Sequence, residues 1–386
     1  MAVYLLVTAA AVAAAWFVKQ PQPLKLHSGI YSTGISRQDA LSRILLAAIF
    51  TCLVLPEVLR INVGNDYAKY VEFMHLIRSN AYVPTEPGFN LLVRAVYGLC
   101  GWENYLLVFG LFSVMTIALF LAAIRQQAED FGFSFLLFML LGYYFQTYNT
   151  VRYYFALAAV IFALRFLLRK EYVPFVITVL LAAAFHKSVL VVLILYPLAL
   201  LPWKKWQMAA AGAFLCTVLL FPAWWLKLVV MLYPSYEDTP YLEGNRISWT
   251  SVLRCGAVLL LALYCRSRRE ESPDAAYERR FRLYFNCSLG AFALYVFCFA
   301  IPFVSRIANY LTFLQIFFIP MLLRGLPCGT EKERKRKKML TALVILAAAA
   351  YFAMFLRKMS GENLRILPYR TYLFSDMPKT LSEVNN

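Results

Sequence analysis

The chain has little charge, few acidic residues and few histidines. Charged residues make up 15% of its 386 residues, with 21 Asp and Glu against 38 Lys and Arg, and there are three histidines. The eight cysteines lie mostly inside apolar stretches and show no CxxC spacing, so they predict neither a disulfide framework nor a zinc site. No GxxxxGK[ST] or GxGxxG motif occurs, which argues against ATP-driven or NAD-dependent chemistry. The sequence therefore predicts no metal and no cofactor.

Apolar residues are in excess instead. They make up 61% of the chain, and the mean hydropathy is +0.62, whereas soluble domains are about 45–50% apolar. The excess comes in blocks of roughly 15–22 residues, about the length that a helix needs to cross the hydrocarbon core of a bilayer. Backbone groups in lipid must pair within their own segment, so these blocks must be helices. The predicted fold class is all-α, a polytopic integral membrane bundle.

The hydropathy pattern predicts 10–12 transmembrane helices in a single transmembrane domain over 1–386. The segment 60–103 is predicted to be an outer loop, in which Gly88 to Leu99 form an interfacial or re-entrant helix, and 357–386 to be an outer tail. The first block lacks a basic segment before it and is interpreted as a retained helix. The predicted spans are about 2–18, 41–59, 104–124, 132–147, 150–168, 173–185, 188–201, 207–229, 251–265, 283–301, 306–323 and 339–356.

Basic residues at the ends of the apolar blocks set the predicted topology. One alternating set of loops carries 23 of the 38 Lys and Arg, including the dense runs 266–282 and 324–338. The positive-inside rule places that set in the cytoplasm and both termini outside. The net charge of +17 is thus explained by topology, and no nucleic-acid partner is expected.

The outer loop 60–103 contains two carboxylates and several aromatic residues. Asp66, Tyr67 and Tyr70 come first, and Glu86 precedes a Pro-Gly pair. Carboxylates accept protons from sugar hydroxyl groups, aromatic rings cover sugar faces, and a carboxylate can act as a general base. The alternative interpretation is a solvated loop in which Asp66 caps a helix and Pro-Gly makes a turn.

Two arginines lie just inside apolar spans on the predicted outer side. Arg152 follows Asn149 and precedes Tyr153, and Arg306 precedes Tyr310 by one turn. An ionisable residue inside a span is costly, and an arginine there can bind a phosphate through several donors in a fixed fork. The alternative is that each arginine extends its charged group to the membrane interface, among the aromatic residues that lie there.

Two further residues on the predicted outer side are candidates. His186 lies in a short turn between apolar runs, and it is interpreted as a general base, a phosphate ligand or a simple polar turn. Without carboxylates or cysteines at ligand spacing, a metal site at His186 is not expected. Tyr369 lies in the tail, which is alternatively a disordered end.

In this order, the motifs resemble the EpsG family of Wzy-like polysaccharide polymerases over roughly 60–375. The resemblance implies polymerisation of lipid-linked glycan repeat units at the outer face of the bacterial inner membrane, and an architecture like that of GT-C enzymes is compatible with it. The implied partners are an undecaprenyl-diphosphate-linked glycan, the lipid bilayer, and a chain-length regulator and a flippase of the same pathway. The matching residues are Asp66, Tyr67 and Tyr70, Glu86 to Phe89, Arg152, Phe185, His186 and Ser188, Arg306 and Tyr310, and Pro368 and Tyr369.

These residues are assigned roles in a glycosyl transfer. Arg152 and Arg306 are predicted to bind the diphosphate, while Asp66, Glu86 and His186 compete for the role of base, with a narrow preference for a carboxylate. A flippase for lipid-linked glycans and a membrane O-acyltransferase remain as alternative functions. The residues predicted to contact the glycan are Tyr67, Tyr70, Asn149, Tyr153, Tyr310 and Tyr369.

Overall fold

The structure is all-helical. A computed structural model describes residues 1–19, 37–232, 248–269, 274–297, 304–359 and 364–373. Every regular element in these ranges is a helix, and an isolated bridge pairs Arg60 with Thr371. Together with the long apolar helices described below, this confirms the prediction of a polytopic helical membrane protein.

Contacts divide the chain into two compact units. Unit 1 comprises Met1–Leu190 and Thr341–Asn386, and unit 2 comprises Val191–Leu340. The single transmembrane domain stays a prediction. The helices of unit 1 are α1 (Ala2–Trp16), α2 (Arg37–Val58), α3 (Tyr67–Arg78), α4 (Pro87–Cys100), α5 (Tyr105–Gln127), α6 (Phe131–Leu140), α7 (Tyr143–Gln146), α8 (Val151–Leu168) and α9 (Tyr172–Ala183).

The second unit follows a 3₁₀ turn at Lys187–Val191. The last helix among the described residues, α17 (Glu331–Lys358), begins in unit 2 and continues in unit 1. The remaining helices of unit 2 are α10 (Val192–Leu200), α11 (Lys205–Leu220), α12 (Pro222–Leu232), α13 (Trp249–Ser267), α14 (Ala275–Phe297), α15 (Val304–Thr312) and α16 (Gln315–Arg324).

Fewer helices are long enough to cross a membrane than hydropathy predicts. Six spans among the described residues qualify, or seven if the bent pair of α11 and α12 counts as one, against the 10–12 expected. Four further apolar helices have 10–17 residues. The six are Arg37–Val58, Tyr105–Gln127, Val151–Leu168, Trp249–Ser267, Arg306–Arg324 and Glu331–Lys358.

Local breaks explain the shorter helices. Gly142 adopts a φ of +79° and separates α6 from α7 inside one predicted span, because a left-handed residue ends a helix and glycine adopts that conformation without steric cost. Pro222 begins α12 at a bend of 92° from α11, and proline cannot continue the hydrogen bonding of a preceding helix. A hydropathy window averages over both kinds of break.

The segment 60–103 contains two helices, α3 and α4, whose side chains pack with those of α5. Tyr67 and Met74 of α3 and Phe89 of α4 are buried in one core with Phe109 and Phe112 of α5. Burying such aromatic and aliphatic side chains stabilises a fold by roughly 1.5–3 kcal/mol for each one. Asp66 and Glu86, which begin these helices, are therefore positioned by a packed hydrophobic core.

Candidate functional site

Glu86 lies at the centre of a polar cluster in unit 1. Its Oε2 is ion-paired with Nη1 of Arg152. Its Oε1 accepts a hydrogen bond from the backbone N–H of Lys187 at 3.2 Å and lies 3.7 Å from Nδ1 of His186. The side chains of Glu86, Arg152 and His186 are 13%, 12% and 18% exposed. The three residues come from separate segments of the chain, and each side chain keeps a small exposed fraction.

A glycine brings Glu86 against the turn that carries His186. Gly88 donates its backbone N–H to the carbonyl of Ala184 at 2.8 Å. A Cβ at Gly88 would lie 2.7 Å from that carbonyl oxygen, closer than van der Waals contact allows. The start of α4 can approach the end of α9 this closely because residue 88 has no side chain.

A second glycine brings the Asp66 loop against the turn that precedes Arg152. Gly64 has a φ of +104°, and a Cβ there would lie 2.3 Å from the carbonyl oxygen of Tyr148. Two residues later, the backbone N–H of Asp66 donates to Oδ1 of Asn149 at 3.1 Å. Asn149 thus orders the start of α3. The segments that carry Asp66 and Glu86 are therefore each packed through a glycine against a backbone carbonyl of another segment.

Tyr70 links Asp66 to Arg152. It lies one helical turn after Asp66, on the same face of α3, and the Arg152 guanidinium is 5.6 Å from its ring centroid. Burial raises the pKa of Tyr70, and the positive charge of Arg152 offsets part of that rise. The phenol therefore stays protonated at neutral pH and can donate a hydrogen bond.

Both carboxylates begin helices without capping them. Asp66 and Glu86 occupy the N-cap positions of α3 and α4, and neither side chain makes a capping hydrogen bond. The alternative role for Asp66 as a capping side chain is therefore not seen. The ring of Tyr153 packs edge-on against His186, with centroids 5.4 Å apart.

Two of the predicted site residues, Tyr67 and Tyr369, make other contacts within unit 1, and two more belong to unit 2. Tyr67 is 1% exposed, and its ring stacks on Phe109 at 4.6 Å. Tyr369 donates its hydroxyl to the carbonyl of Pro56 at 3.1 Å. Arg306 and Tyr310 belong to unit 2, where Arg306 is exposed and Tyr310 is buried.

Two buried charged residues were missed by the sequence analysis. Arg60 is 2% exposed and donates from Nη1 to the carbonyl of Tyr148 at 2.5 Å, and Glu57 is 3% exposed and accepts a hydrogen bond from Thr147. Together they hold the turn that leads to Asn149 and Arg152. The rule that singled out Arg152, an ionisable residue inside an apolar block, applies equally to Glu57, whereas Arg60 directly follows the predicted span 41–59.

The C-terminal tail is part of the same assembly. The backbone N–H groups of Ile61 and Gly64 donate to the carbonyls of Arg370 and Arg365 at 3.1 and 2.9 Å, and that of Asn65 donates to Leu364 at 3.2 Å. The tail thus braces the loop that presents Asp66. The sequence predicts that the tail contributes the ring of Tyr369 to glycan binding. The structure shows a contribution through backbone hydrogen bonds to the loop before Asp66.

The glycine contact predicts a stability difference between two positions on α4. We expect Gly88→Ala to lower the free energy of unfolding by about 1–3 kcal/mol, because the added methyl group overpacks the contact with Ala184. Gly98 is the matched control, since a Cβ there meets no atom within 4 Å. Gly98→Ala should be neutral or stabilising by up to about 1 kcal/mol. Thermal unfolding in detergent measures both, and equal behaviour of the two variants would contradict the assigned contact.

A comparison with protein families identifies the chain. The model of the EpsG family matches residues 43–371, which include every residue of the polar cluster around Glu86. Neither a curated protein nor a solved structure is similar enough to count as a match. Because the matched range covers most of the sequence, the chain belongs to the EpsG family.

Proposed function

We propose that the protein polymerises lipid-linked oligosaccharide repeat units, such as those of exopolysaccharide, capsule or O-antigen, at the outer face of the bacterial inner membrane. It would transfer a glycan from an undecaprenyl-diphosphate donor to an acceptor sugar hydroxyl. Membership of the EpsG family suggests a polysaccharide polymerase-type role. The finer proposal rests on one observation, the nearly buried Arg152, which begins a transmembrane helix beside Glu86 and His186.

Arg152 is proposed to bind the diphosphate of the donor. A guanidinium has five N–H donors, so its ion pair with Glu86 leaves donors for a second anion. The Nε–H of Arg152 is buried and has no acceptor among the residues that the structure describes. The start of α8 adds the positive end of a helix dipole, which favours a bound anion. Arg306 is proposed as a second diphosphate ligand.

Asp66 is proposed as the general base. The acceptor hydroxyl oxygen forms a bond to the anomeric carbon of the donor, and the bond from that carbon to the diphosphate oxygen breaks. The diphosphate takes the electron pair, and the hydroxyl proton moves to the base. Glu86 is already engaged by Arg152 and by the backbone of Lys187, which suits an orienting role better than proton transfer. His186 is proposed to orient the acceptor or to help hold the diphosphate.

The glycan is proposed to lie over Tyr70, Asn149 and Tyr153. Tyr70 lies beside Arg152, Asn149 accepts a hydrogen bond from the backbone N–H of Asp66, and Tyr153 packs against His186. Aromatic side chains with a hydroxyl group present an apolar body and a polar end, and this combination suits a sugar ring.

Reconstitution tests the function directly. The purified protein is placed in proteoliposomes with a chemically defined undecaprenyl-diphosphate-linked repeat unit and without added nucleotide. A ladder of products that differ by one repeat is the expected result, with release of the lipid diphosphate. Movement of the substrate between leaflets without new glycosidic bonds would contradict the proposal and favour a flippase. Acylation of the glycan when an acyl donor is added, without a ladder, would favour an acyltransferase.

The proposed outer location of the site makes a prediction about labelling. Tyr82 lies between α3 and α4 and is 89% exposed, whereas Cys328 is an exposed native cysteine in a loop predicted to be inside. In cells with every other cysteine replaced, a membrane-impermeant maleimide should modify Tyr82→Cys and should not reach Cys328. A permeant maleimide, the control, should modify both. The reverse pattern would place the cluster around Glu86 on the cytoplasmic side.

A further inference from the structure

Unit 2 contains an apolar cavity of about 490 Å³. Leu195 of α10, Leu215 of α11, Phe292 of α14 and Leu311 of α15 are among its lining residues. The one amide in the lining, Asn286, donates through Nδ2 to the carbonyl of Ala199 at 2.7 Å. With that amide bound within the protein, the cavity presents hydrocarbon to an occupant, and a hydrocarbon chain is the complementary ligand.

One end of the cavity is basic. Arg282 lies one turn before Asn286 on the same face of α14, and its Nη1 is 3.5 Å from the carbonyl of Leu200 at the end of α10. Trp203, which also lines the cavity, is followed directly by the exposed Lys204. The neighbouring carboxylate of Glu278 lies 3.4 Å from Nη2 of Arg266. The residues at this end therefore offer positive charge beside an apolar space.

We infer that this cavity binds an anionic phospholipid. One acyl chain occupies the space between α10, α11 and α14, and the phosphate lies at Arg282 and Lys204. Basic pockets between transmembrane helices on the cytoplasmic side bind anionic lipid headgroups, and Trp residues favour the membrane interface.

The predicted topology distinguishes this lipid from the proposed substrate. Lys204 and Arg282 belong to the loops 202–206 and 266–282, which carry basic residues of the predicted inner set. The diphosphate site is proposed to lie on the outer side of the membrane. The phospholipid is therefore one of the inner leaflet, and the inference does not depend on the polymerase proposal.

Native mass spectrometry of delipidated protein in detergent tests the inference. Dioleoyl phosphatidylglycerol and dioleoyl phosphatidylcholine have the same chains and differ in headgroup charge. One phosphatidylglycerol should be retained per chain at concentrations where phosphatidylcholine is lost. Arg282→Gln should weaken retention of phosphatidylglycerol about fivefold, and Arg282→Lys should restore most of it. Retention of phosphatidylcholine should not change in either variant.

A second variant tests the cavity itself. Gly212 lines it, and a Cβ there meets no atom within 4 Å, so Gly212→Phe can enter the space without disturbing the backbone. This variant should weaken retention of both lipids, while Arg94→Gln, on exposed α4 surface in unit 1, should change neither. Melting temperatures show that each variant is folded.

Three results would overturn the inference. Equal retention of the two phospholipids by the unmodified protein would show that the basic end of the cavity does not select an anionic headgroup. Unchanged retention of phosphatidylglycerol in folded Gly212→Phe would remove the role of the cavity. Displacement of phosphatidylglycerol by equimolar undecaprenyl phosphate would assign the cavity to the tail of the polymerase substrate.

Discussion

Arg152→Ala should lower the initial rate of polymer formation in proteoliposomes by about 10²–10³-fold, the scale seen when one donor to a developing negative charge is removed. The variant loses the charged fork that is proposed to hold the diphosphate in the transition state. Arg152→Lys should also lose most activity, because an ammonium group cannot make two parallel hydrogen bonds to a phosphate. Near-normal activity of the Lys variant would show that a local positive charge suffices. The proposal that the guanidinium binds the diphosphate through two parallel hydrogen bonds would then be wrong.

A double variant separates catalysis from stability. Arg152→Ala alone leaves Glu86 nearly buried without its partner, and breaking a buried pair on one side costs about 3–5 kcal/mol of stability. Adding Glu86→Gln removes the uncompensated charge and should restore the melting temperature without restoring activity. Arg94→Ala, at an exposed position on α4, controls for the loss of an arginine and should retain both stability and rate. Recovery of activity in the double variant would assign Arg152 a structural role alone.

Asp66→Asn should lower turnover by about 10²–10⁴-fold, the usual contribution of a positioned general base. The substitution keeps the size of the side chain and the backbone hydrogen bond to Asn149, so binding of the lipid-linked donor should be retained. Turnover and donor binding are measured separately, by product formation at saturating donor and by a titration with a non-reactive donor analogue. Glu103→Gln, in an exposed pair with His75, is the matched acidic control and should be neutral.

Two further variants test whether Glu86 or His186, instead of Asp66, is the general base. Glu86→Gln should weaken donor binding, since Arg152 and His186 lose the group that orients them. His186→Gln should alter the acceptor dependence or donor binding more than the maximal rate. If His186→Gln alone loses turnover with donor binding intact, and both carboxylate variants stay active, the histidine is the base.

The sequence by itself determined the class of this protein and singled out candidate residues for the site. Length and hydrophobicity of the blocks required membrane helices, because unpaired backbone groups are too costly in lipid. The same cost argument made Arg152 a candidate, and the ordered motifs pointed to the EpsG family, which the match over 43–371 confirms. These inferences hold without a structure because each depends on composition or on local order along the chain.

Tertiary structure decided which candidates meet. Glu86 meets His186 because Gly88 lets the start of α4 contact the carbonyl of Ala184, and the Asp66 loop meets the turn before Arg152 because Gly64 contacts the carbonyl of Tyr148. A short motif carries no information about such a distant contact. Hydropathy averaging likewise hid the breaks at Gly142 and Pro222, which reduced the number of long spans.

The support around the site also depends on contacts between distant parts of the chain. The tail residues 364–370 hydrogen-bond to the loop before Asp66, and buried Arg60 binds the carbonyl of Tyr148. In the sequence, Arg60 is only one more basic residue at the end of an apolar block, and snorkelling to the interface accounts for such residues. Burial among Tyr67, Phe109 and Tyr148 is a property of the packed helices, and it makes this arginine a support of the site.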